Sequence, residues 1–121
     1  MTMSPDKLAR LLKVLSVPTR LRIVELLKGR TLCVNALACR LDVTQGAVSQ
    51  HLRVMRDADL VVDEKRGYFV HYRLDEDTLA AWREEIDRLL DPDVGAGTDT
   101  KGAAKCAAAM TRNKAARSRR T

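Results

Sequence analysis

The side chains with the clearest chemistry in this 121-residue chain are three cysteines, Cys33, Cys39 and Cys106. Thiolates bind soft, thiophilic ions such as arsenite, and they are also open to oxidation. If Cys33 and Cys39 belong to one regular helix, their spacing separates them by about 9 Å along the axis and about 240° around it, so they cannot hold one ion together. Three interpretations stay open: a soft-ion site that Cys106 completes with Cys33 or Cys39, thiol oxidation, and cysteines that serve only as small apolar residues.

Other classes of protein are disfavoured by the composition and the motifs. Charged residues interrupt the N-terminal segment, no apolar run approaches the roughly 20 residues of a membrane span, and an odd number of cysteines argues against a disulfide framework. We see no glycine-rich phosphate loop and no paired carboxylates in an evident pocket, and a cysteine paired with His51 as a nucleophile is a remote enzymatic alternative. We therefore expect a cytoplasmic protein that has no membrane contact and is not an enzyme.

Two amphipathic segments in the middle of the chain predict a helix-turn-helix. Apolar residues recur at helical spacing in the first, and a polar turn follows at residues 42–44. Thr44 is a good N-cap for a second helix. The apolar positions that we expect to face the core are Val34, Leu37, Ala38 and Leu41 in the first helix, and Val48, Leu52 and Met55 in the second.

The opposite face of the second helix carries amides, a hydroxyl and a cation, which can bind base edges and phosphates. We interpret His51 as a DNA-facing or capping side chain and not as a metal ligand. A solvated face on any helical protein is the alternative. The DNA-binding residues predicted from this helix are Thr44, Gln45, Ser49, Gln50, His51 and Arg53.

The periodicity changes after this helix and predicts a β-hairpin. Residues 60–62 are apolar, residues 63–67 form a charged turn, and residues 68–74 alternate, with His71 expected on the solvent side. Lys65 and Arg66 at the turn can contact a phosphate backbone. A plain edge hairpin with protective charges is the alternative, but its position after a helix-turn-helix favours a wing.

Three segments together resemble the ArsR/SmtB-type family of bacterial metal- and redox-responsive repressors. They are SVPTRLRIVELLKG at 16–29, VTQGAVSQHLRVM at 43–55 and EKRGYFVHYRL at 64–74, and the likeness spans roughly residues 5–90. The resemblance implies a cytoplasmic homodimer that binds a palindromic operator on double-stranded DNA and leaves it when an inducer binds. The implied fold is mainly α with a small β-hairpin, a winged helix-turn-helix.

The resemblance also bears on the inducer. Arsenic-responsive members typically carry CVCDL where this chain has CVNAL, so Cys33 and Val34 match while Asn35 and Ala36 do not. No histidine occurs in the last helix, so the zinc or nickel site that other members carry there is not expected. The resemblance favours thiol-based sensing of As(III) or a similar ion by Cys33, Cys39 and Cys106, with no required cofactor.

Leucine stripes in the first and last helices are the expected dimer contacts. A domain of this size rarely needs both stripes for its own core, although closing that core is the alternative function for them. A further helix, with Leu21, Val24 and Leu27 inward, follows Pro18. The predicted interface comprises Leu8, Leu11, Leu12, Leu15, Leu79, Trp82, Ile86 and Leu89.

The positive charge is concentrated at the C-terminus. Residues 1–90 hold 15 Lys and Arg against 13 Asp and Glu, whereas residues 91–121 hold 7 against 3. We divide the chain into a winged helix-turn-helix domain at 1–92 and a flexible basic tail at 93–121, which is either a DNA-binding arm or an inert solubilising segment. The predicted function is an inducible repressor. The alternative is an effector-free or thiol-oxidation-responsive DNA-binding regulator or architectural protein.

Overall fold

The computed structural model describes residues 3–93 of the chain. Its helices and strands are α1 Pro5–Leu15, α2 Pro18–Leu26, β1 Leu32–Cys33, α3 Val34–Leu41, α4 Gln45–Asp57, β2 Val61–Arg66, β3 Phe69–Leu74 and α5 Glu76–Leu90. No helix in this range is both long and apolar enough to cross a lipid bilayer. Cys106 and the predicted basic tail beyond Asp93 lie outside the described residues.

The helix-turn-helix forms where the apolar spacing predicted it, as α3 followed by α4. The chain reverses through Asp42, which adopts the left-handed conformation (φ 54°, ψ 47°) and so ends α3. Thr44 then caps α4, because its Oγ1 accepts a hydrogen bond of 3.1 Å from the backbone N–H of Ala47. A capped start fixes where the first turn of α4 begins.

The wing is a three-stranded antiparallel sheet in the order β1-β3-β2, so the predicted hairpin is confirmed and gains a strand. The predicted charged turn at 63–67 is wrong, since β2 continues to Arg66 and pairs it with Phe69. Only Gly67 and Tyr68 connect the strands, and Gly67 has a positive φ of 62°. Glycine at the first position of a two-residue connection is typical of a type II′ turn, which suits the twist of a hairpin.

One apolar core joins α2, α3, α4, the sheet and α5. Its fully buried side chains are Ile23, Leu27, Leu37, Val48, Leu52, Met55, Leu60 and Val61. The inward face predicted for α2 is partly wrong: Leu21 is 48% exposed and Ile23 is 0% exposed. Helix α2 thus faces the core with Ile23 and not with Leu21, while Leu27 is buried as expected.

We predict that Leu37→Ala lowers the free energy of unfolding by about 2–5 kcal/mol, because it removes a fully buried side chain and leaves a cavity. Leu21→Ala is the matched control and should change that free energy by less than about 1 kcal/mol, because the side chain is half-exposed. Urea denaturation followed by circular dichroism, at one protein concentration, measures both. Equal losses in the two variants would contradict this description of the core.

Candidate nucleic-acid interface and cysteine sites

Helix α4 turns one face to the core and the other to solvent, in the predicted orientation. Val48, Leu52 and Met55 are each 0% exposed, and the helix packs against α2, α3 and β2. The exposed side chains include Gln45, Ser49, Gln50 and Arg53. Two amides, a hydroxyl and a guanidinium therefore share one accessible helix surface, which we call the reading face.

His51 differs from the reading-face residues because it is half-buried and already has a protein partner. Its Nδ1 accepts a hydrogen bond of 3.1 Å from Nε of Arg20 in α2. Burial, and then the positive charge of Arg20, hold the pKa of His51 below its usual value of 6.5. The ring is therefore neutral with its proton on Nε2, because Nδ1 has to act as the acceptor. The sequence indicated a capping or DNA-facing role for His51 but did not identify Arg20.

Both predicted wing cations are exposed, and they lie on β2 and not in a loop. Arg66 donates from Nη2 to Oε2 of Glu64 at 3.2 Å, and Arg73 on β3 donates from Nε to Oε1 of the same carboxylate at 2.7 Å. These hydrogen bonds hold the pKa of Glu64 below its usual value, and the bond from Arg73 has the larger effect. Within residues 3–93, Lys65 makes no ion pair. One carboxylate thus partly offsets the two arginines of the wing.

The end of the wing also presents apolar surface that the sequence patterns did not assign to a site. Tyr68 is 100% exposed, Phe69 is 55% exposed and Val70 is 38% exposed. The sequence signal for this surface is a pair of aromatic residues directly after a turn glycine, although the alternating pattern predicted both of them within a strand. Because the turn is shorter than predicted, Tyr68 lies at the turn and not in a strand.

The two cysteines in the described residues occupy different positions around α3. Cys33 is half-buried, occupies the N-cap position of α3 without a side-chain hydrogen bond to the helix, and pairs with His71 across β1 and β3, whereas Cys39 is exposed on α3 itself. The expectation that His71 faces solvent holds only in part, because the residue is half-buried and its Nδ1 is buried with no hydrogen-bond partner in this part of the chain. Among residues 3–93, no three His, Cys, Asp or Glu side chains are arranged to hold a metal ion. Cys106 is not among them.

The predicted dimer residues divide into three groups by exposure. Leu8 and Trp82 are buried within the protomer, at 7% and 4% exposure. Leu12 and Leu89 are exposed, at 37% and 61%. The remaining four, which lie between these limits, are Leu11, Leu15, Leu79 and Ile86. Both α1 and α5 therefore help to close the core and also leave leucine surface uncovered.

Known bacterial regulators resemble this chain in sequence. The family model described as "Bacterial regulatory protein, arsR family" matches residues 17–62. The chain is 45% identical over 86 residues to the HTH-type transcriptional regulator Rv2034 of Mycobacterium tuberculosis (strain ATCC 25618 / H37Rv), which covers 71% of this chain and 78% of that protein. It is 42% identical over 78 residues to the arsenical resistance operon repressor of Escherichia coli (strain K12). This match covers 64% of this chain and 66% of that protein.

Solved structures show the same architecture. A structure described as a possible transcriptional regulator for arsenical resistance superposes with a TM-score of 0.63 and 41% identity, over 69% of this chain and 86% of that one. The homodimeric winged helix-turn-helix DNA-binding domain of a protein from Mycobacterium bovis superposes with a TM-score of 0.58 and 28% identity, over 65% and 74%. The expectations of a winged helix-turn-helix and of a protein that is not an enzyme are confirmed. The chain belongs to the ArsR family of DNA-binding transcriptional regulators.

Proposed function

We propose that this protein is a homodimeric repressor that binds a palindromic operator and leaves it when a thiophilic ion such as arsenite binds its cysteine thiolates. The reading face of α4 carries the proposal, because its polar side chains are exposed and form no ion pair within residues 3–93, while Val48, Leu52 and Met55 on the opposite face are fully buried. Two of the relatives are described as repressors or regulators of arsenical resistance.

The chemistry of α4 and the wing suits the two parts of DNA recognition. The major groove admits one α-helix, in which the amides of Gln45 and Gln50 and the hydroxyl of Ser49 can bind base edges. The guanidinium of Arg53 can bind a phosphate, as can Lys65 and Arg66 on the wing. Thr44 contributes by capping α4, and its hydroxyl proton can still be donated to DNA. We assign sequence discrimination to α4 and general affinity to the cations.

A second copy of the chain is the proposed partner along α1 and α5. Two-fold symmetric proteins match palindromic half-sites, and the Mycobacterium bovis domain is described as homodimeric. The exposed leucines Leu12 and Leu89 supply apolar surface for this interface. We propose that residues 93–121 add a basic arm that binds DNA without sequence preference, so that residues 1–92 act as the specific domain.

The proposed inducer site is built around Cys33. Its side chain is at the N-cap position of α3, the helix that packs against α4. An ion bound there would change the placement of α4, and thereby of both reading faces in the dimer, which couples ion binding to DNA release. Because no three His, Cys, Asp or Glu side chains among residues 3–93 are arranged to hold a metal ion, we propose that Cys106 completes the site with Cys33 or Cys39.

DNA recognition predicts two different variant phenotypes. Gln45→Ala or Ser49→Ala should reduce the preference for the operator over scrambled DNA by roughly fivefold to tenfold, since each removes a base contact. Arg66→Ala should weaken binding to both DNAs and reduce the slope of log affinity against log salt concentration by about one. Arg66→Lys keeps the charge and should retain most of the wild-type affinity and slope. Fluorescence anisotropy at several salt concentrations measures all four variants.

The opposite pattern would show that the groove contacts are assigned wrongly. Equal affinity of the wild-type protein for palindromic and scrambled DNA, with equal salt dependence, would favour the architectural alternative instead. The same titrations therefore test both the residue roles and the function itself.

Induction predicts that arsenite releases the wild-type protein from its operator and that Cys33→Ser raises the arsenite concentration needed by about tenfold or more. Arsenate at the same concentration is the control, because it is an oxyanion of arsenic that is not thiophilic. Unchanged release from a variant in which Cys33, Cys39 and Cys106 are all serine would contradict thiol sensing while leaving the repressor intact.

Dimerisation predicts that Leu89→Asp shifts the protein towards the monomer and weakens operator binding, because it places a charge in an apolar interface. Leu21→Asp, at a half-exposed leucine outside α1 and α5, should stay dimeric. Sedimentation velocity at micromolar concentration measures the two variants. A wild-type protein that is monomeric there, or two variants that dissociate equally, would place the interface elsewhere.

A further inference from the structure

Arg20, in the first turn of α2, bridges two helices that are far apart in sequence. Its Nε donates to Nδ1 of His51 on α4 at 3.1 Å, and its Nη1 donates to the backbone carbonyl of Val14 in α1 at 3.1 Å. Both hydrogen bonds are partly buried. One guanidinium therefore joins the end of α1 to the middle of α4.

Each end of this bridge suits an arginine. Val14 lies in the last turn of α1, where backbone carbonyls have no partner within the helix and where positive charge is favourable. His51 offers a neutral acceptor, because burial and then the positive charge of Arg20 hold its pKa low. A lysine in place of Arg20 would keep the charge, but its single ammonium lacks the planar fork that serves both acceptors.

The bridge supplies what the apolar stripe of α4 lacks. Burial of Val48, Leu52 and Met55 sets which side of α4 faces the core, but hydrophobic contact has no directional preference. A rotation of about 20° would move the tips of side chains by roughly 2 Å, since a helix with its side chains is about 10–12 Å across. A base contact does not survive such a shift, because hydrogen bonds weaken steeply beyond roughly 3.2 Å.

We propose that Arg20 is a positioning residue for DNA recognition, which sets the rotation of α4 against the end of α1 through His51 and Val14. The inference rests on the proposed function of the reading face. Because α1 is also one of the proposed dimer helices, the bridge makes the orientation of each reading face depend on the helix that joins the two subunits. His51 then acts through Arg20 and not through direct contact with DNA.

Arg20→Lys in the full-length protein tests the inference, with Arg22→Lys as the matched control on the exposed side of the same helix. Arg20→Lys should lower affinity for the operator by about tenfold, because a misplaced α4 loses about one base contact. Its affinity for scrambled DNA should stay within about twofold of the wild type, because the positive charge is retained. Arg22→Lys should change neither affinity. Equal loss of affinity for both DNAs, or no loss, would overturn the inference.

A double-mutant cycle separates positioning from direct DNA contact by His51. If His51 acts through Arg20, the losses from His51→Leu and Arg20→Lys should not add in the double variant. His51→Asn should recover much of the loss, because its amide oxygen is attached to Cγ as Nδ1 is and can accept from Arg20. Additive losses, or no recovery by asparagine, would overturn the inference.

Nitrogen NMR of His51 in the free protein gives a readout that does not depend on DNA. The wild-type ring should carry its proton on Nε2 at pH 7.5, and the pKa of His51 should rise towards 6.5 in Arg20→Gln, because the neighbouring positive charge is removed. The bridge requires a neutral ring, so it should be present above the pKa of His51 and be lost as the pH falls through it. A proton on Nδ1 of the wild-type ring would overturn the inference. This result does not depend on DNA binding, so it is distinguishable from a failure of the proposed function, which would appear as a loss of operator preference in the wild-type protein.

Discussion

The complete burial of one side of α4 is the constraint on which the rest of this molecule depends. Val48, Leu52 and Met55 have no solvent exposure, and they pack among residues of α2, α3 and the sheet. Exposing this stripe would cost several kcal/mol, which is comparable with the whole stability of a small domain. The opposite side of α4 must therefore face solvent, and polar residues there are available for binding.

Directional hydrogen bonds set the position of α4 and of the wing cations more closely than burial alone can. The Thr44 hydroxyl sets where α4 begins, and the Arg20 guanidinium bonds to its middle. On the wing, the Glu64 carboxylate aligns Arg73 and Arg66 across the two strands of the hairpin. Exposed ion pairs of this kind contribute little to the free energy of folding. We infer that their role is to position the two guanidinium groups. The wing thus presents cations in a defined position with a moderated charge.

Much of the fold and of the candidate surface could be predicted from local patterns. The spacing of apolar residues in α4 was sufficient to place Gln45, Ser49, Gln50 and Arg53 on the solvent side. Predictions that depended on pairing between distant segments were less accurate. The strand at Leu32–Cys33 is too short to have a pattern of its own, and it exists because β3 offers it a partner. The same pairing places His71 beside Cys33, and Nδ1 of His71 is buried.

The sequence by itself determined the amphipathic helices, the cap at Thr44, the hairpin and the ArsR-family resemblance, because each depends on residues within a few positions of one another. Only the tertiary structure decided that Ile23 and not Leu21 enters the core, that Arg20 reaches His51, and that Glu64 is shared by two arginines. These outcomes depend on how helices that are distant in the chain pack together and on how neighbouring strands pair. Local periodicity carries no information about that approach, since it is set by packing and by partners that lie up to 31 residues apart.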